Sequence, residues 1–221
     1  DVLYLTNSFL TNIPSFVSDN KIDLSSLLNK IQCDYSLIII PDFLFRNLNV
    51  QDTNYAKVEV EEEMVLSLKI EWDSFDDYVG DLKKKYRIRI KNIFKKSSEL
   101  DVRKLGLNDL NYYSSDIKSL FKQVMSHSSF AGPEFNTDIF SLFNNCNIVV
   151  YGYFFNDKLV GFSSEIHEQK KFYSYYVGFD RGLNKSLSIY GRILADSIKN
   201  AIKLNKEELV FGRTANEFKS N

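Results

Sequence analysis

The most regular hydrophobic pattern spans residues 72–96. Phe75, Val79, Leu82, Tyr86, Ile90 and Ile93 follow one another at spacings of 4, 3, 4, 4 and 3, one face of an α-helix. The spacing predicts a single helix of about 24 residues, roughly 36 Å long. Ser74-x-x-Asp77 stands at its start as a capping box would. Asp73, Asp76, Asp77 and Asp81 crowd its beginning and Lys95 and Lys96 close it, the order that suits the helix dipole. Further along, strand and helix periods alternate. Residues 100–105 read as a strand, 108–124 as a helix with Leu110, Tyr113, Ile117, Leu120, Phe121 and Val124 on one face, and 137–143 as a short helix. Three strands then follow in hairpin succession, 147–155, 159–168 and 171–177, joined by Asn156-Asp157 and Gln169-Lys170. Residues 178–185 predict a polar loop, 186–204 a helix and 208–211 a last strand. Before residue 72 the pattern is fainter. Residues 2–5 and 35–40 read as strands, 23–31 as a short helix capped by Asp23, and 57–70 as a partly alternating segment whose Glu59, Glu61, Glu62 and Glu63 predict a solvated edge.

Composition narrows the class. The 221 residues make one large domain or two small ones at roughly 150 residues each. A 44% hydrophobic content with 18 Phe and 13 Tyr supplies a large core and excludes disordered and low-complexity architectures. Lys and Arg number 28 against 29 Asp and Glu, so no global charge excess argues for nucleic acid or for an acidic tail. Cys33 and Cys146 are the only cysteines. With only two histidines as well, they offer no metal-ligand spacing, and two distant thiols fit a reducing, cytoplasmic compartment. No run approaches the roughly 18 apolar residues of a spanning helix. The sequence begins at Asp1 without a visible signal peptide. There is no Gly-x-Ser-x-Gly elbow, dinucleotide fingerprint or Walker loop.

The order β-α-α-β-β-β-α-β, carried by Lys85-Tyr86-Arg87-Ile88-Arg89-Ile90-Lys91, Lys158-Leu159-Val160-Gly161-Phe162, Tyr176-Val177-Gly178-Phe179-Asp180 and the stretch from Phe211-Gly212-Arg213 to Glu217-Phe218-Lys219-Ser220, resembles the GNAT acyltransferase superfamily in its bacterial, FemAB-like, peptidoglycan-biosynthesis-type branch. The likeness covers residues 60–221. It implies an α/β (α+β) fold with a mixed, largely antiparallel sheet flanked by helices. Residues 1–70 would be a degenerate N-terminal GNAT-like lobe, 71–98 a basic connector helix and 99–221 the acyltransferase lobe. The sequence departs from the family twice. Arg181-Gly182-Leu183-Asn184-Lys185-Ser186-Leu187-Ser188 lacks the paired glycines of the usual phosphate loop, and the chain ends within the helix expected after the last strand.

What the resemblance implies for chemistry is an acyl-CoA donor without a metal and an amine acceptor, either a small molecule or a cell-wall precursor. Aminoacyl-tRNA, the donor of some FemAB enzymes, is the alternative donor, disfavoured because no inserted helical hairpin that could reach a tRNA is visible in the sequence. Val177 and Gly178, with Asn184, Lys185 and Ser186 at a helix start, would hold the donor's phosphates; the bland alternative is an N-cap beside a solvated lysine. Glu165 and His167 share one face of their strand and either accept the amine proton or are outward polar alternation. Tyr190 could protonate the leaving thiolate, while Phe172, Tyr173, Tyr175 and Tyr176 read first as core. A backbone N–H of the 172–177 strand would face the oxyanion. Arg213, Glu217 and Lys219 would bind the acceptor, or form a surface ion-pair set. His127 reads as a helix C-cap. Lys83, Lys84, Lys85, Arg87, Arg89, Lys91, Lys95 and Lys96, eight bases with no acid between them, are a solvated face or a site for phosphates. A GNAT-shaped module that has lost donor binding and holds an anionic ligand is the alternative to an enzyme.

Overall fold

The computed structural model describes residues 1–5, 18–31, 34–41, 44, 48–49, 56–58, 63–126 and 148–212. The chain divides into two compact units, residues 1–60 and 61–221. In the first, β1 (Val2–Tyr4) pairs in parallel with β3 (Leu37–Ile39), and β2 (Ile22–Asp23) with β4 (Leu48–Asn49). Asp23 caps α1 (Leu24–Leu28) by accepting from the Ser26 N–H at 2.8 Å, as its position before the apolar run predicts.

The second unit holds β5 (Met64–Ser67), α2 (Phe75–Asp81), α3 (Lys84–Lys96), β6 (Asp101–Lys104), α4 (Leu107–Tyr112), α5 (Ser114–Met125), β7 (Ile148–Phe155), β8 (Lys158–His167), β9 (Lys171–Phe179), α6 (Arg181–Leu187), α7 (Ile189–Lys203) and β10 (Glu208–Gly212). Six strands form one sheet in the order β5-β10-β9-β8-β7-β6, antiparallel throughout except for the parallel pair β9–β10. The mixed, mostly antiparallel sheet flanked by helices is therefore present. β5, which the sequence reading assigned to the N-terminal lobe, pairs with β10 and closes this sheet's edge. Its alternate residue Leu66 packs on the core.

The meander follows its turn signals. Asn156 and Asp157 both take positive φ, 49° and 60°, the backbone that a two-residue hairpin turn requires. α5 covers one face of the sheet through Ile117 and Leu120, and α7 covers the other through Ile189, Ile193, Ile198, Ala201 and Ile202. Burying that stripe against Tyr153, Val160, Phe172 and Leu209 is the main source of order for this 15-residue helix.

Two expected helices and one expected loop are redrawn. The single helix over residues 72–96 is two, α2 and α3, separated at Leu82 in extended backbone (ψ 148°). Ser74 and Asp77 form the expected capping box. Gly80 weakens the end of α2, and Asp81, unfavourable at a helix C-terminus, accepts hydrogen bonds from Trp72 Nε1 (2.8 Å) and Lys69 Nζ (2.9 Å). The helix expected at 108–124 bends at Tyr113 into α4 and α5. The loop expected at 178–185 is the end of β9 followed by α6, because Asp180 accepts from the Leu183 N–H at 2.9 Å and starts a helix there. Among the described residues no helix is long and apolar enough to cross a membrane. The short helix expected at 137–143 lies outside the described residues.

Candidate functional site

β9 and β10 pair over three residues only, Lys171 with Glu208, Phe172 with Leu209 and Tyr173 with Val210. β9 then runs on to Phe179 without a further partner in β10, so the two parallel strands open a wedge toward the C-terminal end of β9. At its apex β9 bulges. Val177 faces Ser163 and Ser174 faces Glu165, leaving Tyr175 and Tyr176 opposite the single residue Ser164. The Ser164 hydroxyl stitches this bulge, accepting from the Tyr176 N–H at 2.8 Å and donating to the Tyr176 carbonyl at 3.1 Å. Tyr176 turns its ring edge-on to Phe121 of α5, at 5.5 Å. Among the described residues no strand pairs with β9 beyond Tyr173 on its β10 side, and a strand edge of that kind can take up an extended ligand and polarise its carbonyl groups.

Under α7 the same region is polar. Glu165, 1% exposed, accepts from Asn200 Nδ2 at 2.8 Å, and His167 Nε2 lies 3.3 Å from its other oxygen. Burial pushes the Glu165 carboxyl above the usual range, against the pull of His167 and Asn200. His167 stacks on Phe172 at 4.8 Å and keeps a fifth of its side chain in solvent. Ser197 of α7 donates to Ser174 Oγ at 3.1 Å. One turn earlier, Arg192 Nε reaches both oxygens of Asp196 at 2.9 Å. Its guanidinium also lies over Phe94 at 4.9 Å and approaches Ser97, tying α7 to α3. Burial raises the Asp196 carboxyl too, with Arg192 opposing.

The structure brings Glu165 and His167 together, with Glu165 opposite Ser174, the first residue of β9 beyond its last β10 partner. The pair faces α7 rather than an open cleft. Val177 packs on the α7 core. Gly178 faces the other way: a Cβ there would stand 2.7 Å from Phe121 N and 2.8 Å from Leu120 C, so its missing side chain admits the backbone of α5. Tyr190 stacks on Phe179 at 5.2 Å, and burial pushes its hydroxyl up to about 12. Asn184, Lys185 and Ser186 sit inside α6 rather than at a loop–helix junction. There the Asn184 N–H donates to Asp180, its Oδ1 accepts from the Tyr190 N–H at 2.9 Å, and Ser186 donates to the Leu183 carbonyl. Arg213, Glu217, Lys219 and His127 lie outside the described residues. Among the described residues no three of His, Cys, Asp and Glu converge as a metal site.

Ser164, Arg192, Asp196 and Asn200 were not singled out from the sequence. The i,i+4 spacing of Arg192 and Asp196 was a readable signal. The bulge that gives Ser164 its task leaves no local mark.

No family model and no curated protein matches the sequence. Solved structures of similar fold include a conserved protein of unknown function from Bacteroides thetaiotaomicron, at 12% identity and a TM-score of 0.49 over 69% of this chain and 50% of that one. An aminoglycoside acetyltransferase from an uncultured soil metagenomic sample, solved with trehalose, is similar at 20% identity and a TM-score of 0.40, over 51% of this chain and 76% of its own. An acetyltransferase of Trypanosoma brucei is similar at 17% identity and a TM-score of 0.38, over 50% and 80%. The chain spans about half the length of the Bacteroides protein. At these identities, and with TM-scores below 0.5, none of them decides the fold or the activity of this chain.

Proposed function

We propose that the chain is an acyltransferase of GNAT fold and FemAB-like type that moves an acyl group from acyl-CoA to an amine of a small molecule or cell-wall precursor. The observation that carries the reading is the wedge between β9 and β10 with the bulge at its apex. A thioester laid along the free edge of β9 would have its carbonyl oxygen against a backbone N–H, where the negative charge of a tetrahedral intermediate develops. The acceptor amine attacks the carbonyl carbon. The C–N bond forms, the C–S bond breaks, the amine gives up a proton and the thiolate takes one. Glu165, enclosed beneath α7 with its proton affinity raised by burial, would take the amine's proton only by relay through the partly exposed His167 beside it.

The reading is tested by the thermal stability of the protein with acetyl-CoA, longer acyl-CoAs and free CoA. Saturation at 100 times the dissociation constant adds about 2.7 kcal/mol. No shift with any of them sinks acyl-CoA as the donor.

One observation favours the second reading, a non-catalytic anion-binding module. α6 satisfies its own backbone donors, including those of Leu183 and Asn184, that a family-type phosphate loop would turn to the ligand.

A further inference from the structure

The solvent side of α3 is almost wholly cationic. Lys84, Lys85, Arg87, Lys91, Lys95 and Lys96 are exposed, and at about 100° per residue they fall within one arc of about 180°. Ile88 and Asn92 are the other exposed residues of that arc, and α3 holds no acidic residue. The 12-residue α5 and the 15-residue α7 mix their signs instead, Asp116 standing near Lys118 and Asp196 between Arg192 and Lys199. In α3 like charges meet at i,i+4, Lys85 with Arg89, Arg87 with Lys91 and Lys91 with Lys95, which weakens a helix. Lys83, Lys84 and Lys85 crowd an N-terminus whose dipole favours acids. The helix is held by its other side. Ile93 is buried against Gly191 of α7, and Phe94 meets Phe75 edge-on at 5.7 Å and lies under the Arg192 guanidinium at 4.9 Å. That packing leaves the exposed cations unexplained, and a local rule broken on one face of a helix points to a use outside the fold.

The chemistry of this face selects its partner. The whole chain is nearly neutral, with 28 Lys and Arg against 29 Asp and Glu, so the positive field is local and orients what it attracts. The face is long: Lys84 and Lys96 stand about 18 Å apart along the axis. Lys185 of α6, also exposed, adjoins its end, where Lys96 donates to the Lys185 carbonyl at 3.3 Å. All the cations of the arc but Arg87 are lysines. Their compact charges suit a diffuse negative surface, whereas the planar fork of arginine suits a single phosphate. Ile88, 49% exposed, stands in the middle of the arc, on one helix face with Lys84, Lys91 and Lys95. An isoleucine among lysines gains by entering the boundary between lipid headgroups and acyl chains, and gains nothing against the phosphates of a duplex. No aromatic ring stands in the arc for bases to stack on, because Tyr86 and Phe94 lie on the half-buried side.

We infer that the exposed face of α3 is a docking surface for an anionic lipid bilayer, attracted by its six exposed cations and anchored shallowly by Ile88. A cluster of about four to eight Lys and Arg on one helix is enough to hold a protein to such a surface. α3 does not insert as a free amphipathic helix does, because its apolar side is occupied by α2 and α7. Attachment is therefore peripheral, reversible and sensitive to salt. The lipid is a surface here and not a reactant, and the inference does not rest on acyl transfer.

Co-sedimentation of the full chain with vesicles of phosphatidylcholine alone, and of phosphatidylcholine with about 30% phosphatidylglycerol, tests it. Binding should be confined to the anionic vesicles and should fall at least about tenfold as added salt shortens the screening length from about 10 Å to about 3 Å. Lys84→Ala/Lys91→Ala/Lys95→Ala should weaken it about a hundredfold, at about fivefold per cation. This variant relieves repulsion within α3 and should melt no lower than the parent, so its loss of binding is a loss of surface charge. Lys118→Ala/Lys158→Ala/Lys203→Ala removes as many exposed cations from α5, β8 and α7 and should change binding less than about threefold. Ile88→Trp should shift its fluorescence to the blue on anionic vesicles, while the parent, with Trp72 as its single tryptophan, should not. Absence of binding to anionic vesicles at low salt, with or without α3-dependent binding of a duplex oligonucleotide, overturns the inference, as do equal losses in the two triple variants.

Discussion

Replacing Gly178 by alanine separates packing from ligand binding at the wedge. A Cβ at Gly178 would lie 2.4 Å from Phe162 Cε1, 2.7 Å from Phe121 N and 2.8 Å from Leu120 C. Relaxed carbon contacts need about 3.5–4.0 Å, so the neighbours must retreat by roughly 1 Å. Phe162 is fully buried, and the other two atoms belong to the backbone of α5, so no flexible side-chain tip absorbs the strain. Overpacking costs about 1–3 kcal/mol, and backbone neighbours put this site near 3 kcal/mol, a fall of roughly 6–12 °C in Tm for a unit of this size. Denaturant titration should show a lower midpoint at unchanged slope. Gly80→Ala is the control. A Cβ there meets nothing within 4 Å near the end of α2 and should stabilise by up to about 1 kcal/mol. A Gly178→Ala protein within about 0.5 kcal/mol of the parent that no longer binds CoA would refute the packing account and restore Gly178 to the donor site.

Ser164→Ala removes both hydrogen bonds that hold the Tyr176 backbone in the bulge; denaturation should show a loss of about 2 kcal/mol, and a change below 0.5 kcal/mol would contradict the stitch. Glu165→Gln keeps an acceptor for Asn200 and removes a charge whose buried carboxyl prefers its proton. Because the folded pKa is raised, that preference stabilises the fold fully below the unfolded pKa of about 4.3 and is lost as pH rises through the folded value. The variant should therefore lose less stability than the parent between pH 4 and pH 8, and parallel curves would contradict it. Arg192→Ala strands Asp196 in a half-buried site and should cost about 3–5 kcal/mol, much of it recovered by an apolar pair at both positions; a loss under 1 kcal/mol would remove Arg192 as the tie between α3 and α7.

Elements whose stability is local were legible in the sequence. The Asn156-Asp157 turn, the Ser74–Asp77 capping box, Asp23 as N-cap and the apolar stripe of α7 each depend on residues within a few positions of one another. The breaks were not, because long-range partners decide them. Asp81 ends α2 by turning to Trp72 and Lys69. Ser188 ends α6 where Asn184 turns its side chain to the Tyr190 N–H. The same holds at the site. Glu165 and His167 were visible as a same-face pair, but their engagement by Asn200 across the sheet–helix interface was not. A continuous stripe through residues 72–96 concealed that α3 is a separate helix packed on α7.

The central claim is that an acyl donor lies along the open edge of β9. Hydrogen exchange of backbone amides in residues 174–179, with and without acetyl-CoA, tests it most directly. The account predicts slowed exchange confined to this stretch and to the start of α7, lost in Ser164→Ala. Unchanged exchange at 174–179 under saturating acetyl-CoA would contradict it.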